Sequence, residues 1–138
     1  MDIVAVGFWT FLVSATSILA VFGCDQARKV AIACLTATFC TFGVNFILGF
    51  AGAQLAMVMI DAVLLIYVLR TALTSHAHWP LWFCGFHLVT VASEIAKITI
   101  PAETPLIYTN FAGFWALPAL GAAAIGVILD RRVVEQNR

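Results

Sequence analysis

Charge is what this sequence has least of. Only 10% of its 138 residues are Asp, Glu, Lys or Arg, against roughly 25% in an average soluble domain. A short soluble chain has a large surface for its volume, and so few charged groups cannot cover it. The balance is made up by apolar residues, 63% of the chain at a mean hydropathy of +1.04, so lipid is the expected solvent. The seven basic and seven acidic residues cancel, and no Lys/Arg cluster offers a hold on nucleic acid.

Other absences exclude further classes. There is no His-Glu-x-x-His, no Gly-x-Ser-x-Gly, no phosphate-cradling glycine loop and no paired intramembrane aspartates, which leaves the common hydrolase and nucleotide-binding chemistries without their groups. Catalysis would fall to Asp61, His87 and Glu94, where no nucleophile is paired with a base, so the sequence argues against an enzyme. The four cysteines include no Cys-x-x-Cys. Cys34 and Cys40 are six residues apart and point to different helix faces, and free thiols are expected. His76 and His78 supply two ligands where zinc takes three or four protein groups, so no metal site is expected. Internal repeats and low-complexity segments are absent.

What is present divides into five apolar runs, each near the 20 residues that cross a hydrocarbon core of roughly 30 Å. They run from Ile3 to Phe22, Val30 to Phe50, Ala53 to Ala72, Leu81 to Ile100 and Leu106 to Leu129. The expected fold is an all-α integral membrane bundle of five transmembrane helices in one domain. The first run carries Asp2 and no basic residue ahead of it, which reads as a mature span and not a signal peptide. The links are short: residues 23–29, a turn near Ala51 to Gln54, residues 71–80, and Pro101 to Pro105. None holds a soluble domain.

Lys and Arg gather on the cytoplasmic side of a membrane. Arg28 and Lys29 follow the first span, Arg70 ends the third, and Arg131, Arg132 and Arg138 follow the fifth. Five spans put all six on one face, leaving Lys97 alone on the other. The expected topology is N-terminus outside, C-terminus cytoplasmic, in the inner membrane. Trp79 and Trp82 fall where the fourth span meets the inner headgroups, and Tyr108 where the fifth meets the outer ones.

Ionisable groups in lipid are costly and default to functional candidates. Asp61 lies near the middle of the third span, with Gln54 two helical turns earlier on the same face. In the fourth span His87, Thr90, Glu94 and Lys97 follow at three, four and three residues, one stripe. Cys34, Thr38, Thr41 and Asn45 repeat this in the second. The simplest arrangement turns the three stripes toward each other. Asp61, Glu94, Lys97, Gln54 and Asn45 are the candidate ion-relay groups. The plainer reading makes Glu94 and Lys97 a structural pair, with Asp61 hydrogen-bonded to Gln54 or Asn45. His87, beside Trp82, Phe83 and Phe86, is the candidate ligand for a haem or chlorophyll-type pigment.

Small residues, Ala119, Ala122, Ala123 and Gly126 in the fifth span with Gly43 and Gly49 in the second, are expected at close helix contacts. Pro118 is expected to bend the fifth span. Two functions are in view. The first is a non-catalytic subunit or accessory of a larger membrane complex, in contact with lipid and with other chains or itself, and with a pigment as candidate ligand. The second is an oligomeric proton- or ion-coupled small transporter or channel using Asp61 and Glu94.

Overall fold

The structure, a computed structural model, describes residues 3–75, 77–99 and 107–136, with side chains from 6–49, 52–75, 77–99 and 114–132. His76, the Pro101 to Pro105 link, the Tyr108 side chain and Arg138 lie outside the described residues. Five helices account for nearly all of the rest: α1 (Ile3–Phe22), α2 (Asp25–Gly49), α3 (Gly52–Thr74), α4 (Trp79–Thr99) and α5 (Ile107–Gln136). Each of the last four contains a stretch long and apolar enough to cross a membrane, and α1 is a shorter apolar helix over its described side chains. Apolar side chains cover the outside, with Phe46, Ile47 and Leu73 each at least 75% exposed. This is the makeup of a multi-pass membrane protein, in which lipid takes the place of water against the apolar faces.

The connections differ from the expected ones by up to a turn. Helix α2 begins at Asp25, ahead of Val30, because Arg28 reaches back and donates from Nε to the Ala20 carbonyl at 3.0 Å, occupying an acceptor that the end of α1 leaves over. The turn between α2 and α3 falls at Gly49 and not at Ala51 to Gln54. Gly49 has φ 69° and ψ 167° in an otherwise helical stretch, a region open essentially to glycine. Across it, Asn45 Nδ2 lies 3.7 Å from Met57 Sδ, so α3 folds back along α2. Gly49→Ala should therefore cost about 1–3 kcal/mol through backbone strain alone. Gly43→Ala, where an added methyl meets nothing within 4 Å, should leave the melting temperature in detergent unchanged or slightly raised, since glycine inside a helix costs about 0.5–1 kcal/mol relative to alanine.

Helix α3 runs on to Thr74 and stops when Ser75 turns extended, its N–H donating to the Thr71 carbonyl at 3.0 Å. The link to α4 shrinks to Ser75–His78 as a result. Helix α4 opens at Trp79–Pro80, because proline in a first turn has no helical hydrogen bond to lose.

Trp79 corrects the expectation of an anchor in the headgroups. It is 3% exposed and packs inward, while Trp82 at 65% faces outward. Its seat is Gly126 of α5, where a Cβ would overlap the Trp79 Cβ and lie 3.2 Å from its Cα. Further along the same pair, Phe86 stacks on Trp115 with ring centres 6.4 Å apart. Helices α4 and α5 are thus antiparallel and closely packed. Arg131 lies over the Phe22 ring at 5.3 Å, which runs α5 parallel to α1.

These contacts gather Arg28, Lys29, Arg70, Arg131 and Arg132 at one end of the bundle, called the basic end below. The core of the half nearest that end is closely packed. Leu19, Ala27, Val30, Val68 and Ala123 are fully buried there, with Trp79 at 3%. From mid-bundle toward the other end two cavities open and most of the buried polar residues are found, Thr16 being the exception on the basic side.

Candidate functional site

Helical spacing of three and four residues carries the polar side chains of α2, α3 and α4 to the bundle interior. They meet in a cavity of about 220 Å³ lined by all five helices. Asp61 comes from α3, His87, Thr90 and Glu94 from α4, and Cys34, Thr38 and Thr41 from α2. Phe8 and Leu12 of α1 and Ala116 and Ala119 of α5 close it. The contribution of α1 has no polar signal in the sequence. That of α5 is marked only by small residues around Pro118, which stands inside the helix.

His87 and Asp61 are the centre of the site. The imidazole is buried, and its Nε2–H donates to the Asp61 backbone carbonyl at 3.2 Å, with the Asp61 Oδ1 at 3.8 Å. The carbonyl has only lone pairs to offer, so it fixes the proton on Nε2. Phe83, one turn before, lies with its ring centre 5.5 Å from the imidazole. His87 is therefore held between α3 and α4 and presents no free face to lipid.

Glu94 is the second acid. Its carboxyl comes within hydrogen-bonding reach of Asp61's, while Oε2 is buried without a hydrogen-bond partner among the described residues. Two carboxyls this close repel one another when both are ionised, and one proton shared between them removes the repulsion and supplies the donor for a hydrogen bond. Thr38 and Thr90 donate their hydroxyls to the Cys34 and Phe86 carbonyls of their own helices, at 2.9 and 3.4 Å. Their oxygens remain as acceptors along the wall. The lining thus brings two carboxyls, an imidazole and two hydroxyl oxygens to one cavity. Among the described residues, no three His, Cys, Asp or Glu side chains converge to hold a metal ion.

The remaining candidates lie apart from Asp61. Gln54 and Lys97 line a second, smaller cavity of about 50 Å³ with Met57, Val58 and Ile98, and Glu94 lines both cavities. Asn45 does not reach Asp61: its Nδ2 donates to the Thr41 carbonyl at 3.2 Å and otherwise faces Met57 Sδ. Gly43, expected at a helix contact, has open space around it. Cys34 and Cys84 are buried free thiols, and Cys24 and Cys40 are exposed ones. No family model matches the chain, and no curated protein or solved structure matches it either, so the chemistry of this cavity has to be read from its own side chains.

Proposed function

We propose that this chain is a small proton-coupled transporter or channel of the cytoplasmic membrane, with Asp61 and Glu94 as the proton-binding groups and His87 as their neighbour. One observation carries the reading: two acids and a histidine from facing helices meet in a shared cavity inside a bundle whose outer surface is apolar. Ionisable groups at such a depth mark proton and ion pathways. A purely structural ion pair fits the arrangement less well, because Glu94 brings a second acid to Asp61 and leaves a buried oxygen without a partner. The five basic residues at one end favour a cytoplasmic location for that end.

The accessory reading with a bound pigment has less to support it. An axial ligand needs an imidazole nitrogen facing a space wide enough for a macrocycle. With Nε2–H given to the Asp61 carbonyl, His87 has only Nδ1 to offer, on a buried ring beside a cavity smaller than the roughly 300–1,000 Å³ usual for ligand sites.

The test is proton flux into liposomes holding the purified protein and a pH-sensitive dye, driven by a potassium diffusion potential. The unmodified protein should acidify the lumen faster than empty liposomes do. Asp61→Asn and Glu94→Gln should each remove the difference, and flux unchanged in both variants would eliminate the proposal.

A further inference from the structure

The two halves of the bundle are built differently, and the difference runs along the membrane normal. Toward the basic end every helix contributes fully or nearly fully buried side chains, Leu19, Val30, Val68, Trp79 and Ala123 among them. A close approach of helices, Trp79 on Gly126, lies there as well. Toward the other end lies the cavity of Asp61 and His87. Beyond it the smaller cavity continues in the same direction, toward the end of α4, where Lys97 lies. Glu94 is the residue common to both. At about 1.5 Å per residue it stands about 7–8 Å short of the α4 terminus at Thr99.

We infer that water and protons reach the Asp61–His87 centre from the end opposite the basic residues, by way of Gln54 and Glu94, and that the packed half around Trp79 and Gly126 closes the route toward the basic end. Glu94 is then the entry residue and Asp61 the inner acceptor. Polar side chains line the way in: Gln54 and Lys97 first, then Glu94, then the threonine oxygens of the main cavity. A route with polar partners along its walls is one that water can occupy. The opposite half offers water few such partners: its buried side chains are apolar except Thr16, whose hydroxyl is already given to the Leu12 carbonyl at 2.7 Å. The inference deepens the proton-handling reading by giving the site a side, and it rests on that reading for its cargo.

Access is measured without measuring flux. In full-length protein with the four native cysteines replaced by alanine, single cysteines are introduced as Gln54→Cys, Thr41→Cys and Ala123→Cys. A membrane-impermeant trimethylammonium methanethiosulfonate is applied to sealed vesicles of either orientation. Monodisperse elution in detergent checks each variant's fold, and Thr38→Cys replaces Thr41→Cys if the latter misfolds. Gln54→Cys and the threonine-site cysteine should react only from the face opposite the basic end, and Ala123→Cys from neither. Reaction of the threonine-site cysteine from the basic face, reaction of Ala123→Cys as fast as that of Gln54→Cys, or no reaction at Gln54→Cys and the threonine site from either face would overturn the inference. One-sided labelling without proton flux would leave the access intact and remove the function. Flux with labelling from the basic face would do the reverse.

Discussion

Gly126→Leu should leave little folded protein in the membrane, and Gly126→Ala should fold with a clearly lowered melting temperature. Trp79 is already 3% exposed, and the space a side chain would need at residue 126 is held by its Cβ and, at 3.2 Å, its Cα. A flexible side chain can swing aside, but an α-carbon moves only if α4 moves with it. Overpacking of this kind costs typically about 1–3 kcal/mol, and more when backbone must shift, against a total stability of about 5–15 kcal/mol for an ordinary domain. Trp79→Ala should itself cost about 3–5 kcal/mol by opening a void. Combined with Gly126→Leu it should recover part of the loss, because the two residues share one space and their effects are not additive. Thermal unfolding in detergent across this double-mutant cycle is the measurement, and strict additivity would mean that the contact is not what holds α4 against α5.

The second large effect concerns function. Asp61→Asn should abolish proton flux while leaving the melting temperature equal to or above that of the unmodified protein. The amide has the carboxyl's shape but no proton to exchange across a working pH range. The hydrogen bond from His87 goes to the Asp61 backbone carbonyl and survives the substitution. Glu94 keeps a neighbour able to donate or accept. Losing one of two facing acids also removes a like-charge conflict, which is how functional sites commonly trade stability for activity. A structural role would give the opposite pattern, with lowered melting and intact flux.

Much of the architecture was legible because lipid makes composition a strong constraint. Apolar runs of about 20 residues identify helices directly, and spacings of three and four place Asp61, His87, Thr90 and Glu94 on inward faces. The errors arise where the outcome depends on partners distant in sequence. A tryptophan near a span end reads as a headgroup anchor, and nothing near Trp79 in the chain indicates that Gly126 will vacate a seat for it. The fate of Asn45 follows from the turn. A reversal at Ala51 to Gln54 sets Asn45 opposite the region of Asp61, whereas the observed reversal at Gly49 slides α3 by about one helical turn and brings Met57 there. A shift of a few residues in a turn is minor for counting spans and decisive for which side chains meet. The polar stripes avoid this because hydroxyls and acids recur along them, so some polar group meets another at any nearby register. The enclosing residues of α1 carried no such repetition and were not legible, and those of α5 showed only as small residues such as Ala119.

The packed half has an electrical consequence. A membrane potential acts with about 2.3 kcal/mol per elementary charge per 100 mV across the full insulating thickness. Where a hydrated vestibule shortens that thickness, the voltage drops over what remains. With water entering as inferred above, that would be the packed segment between the Asp61–His87 centre and the basic end. A charge entering as far as Asp61 would cross little of the field, and the step from Asp61 past Phe83 and Trp79 would cross most of it.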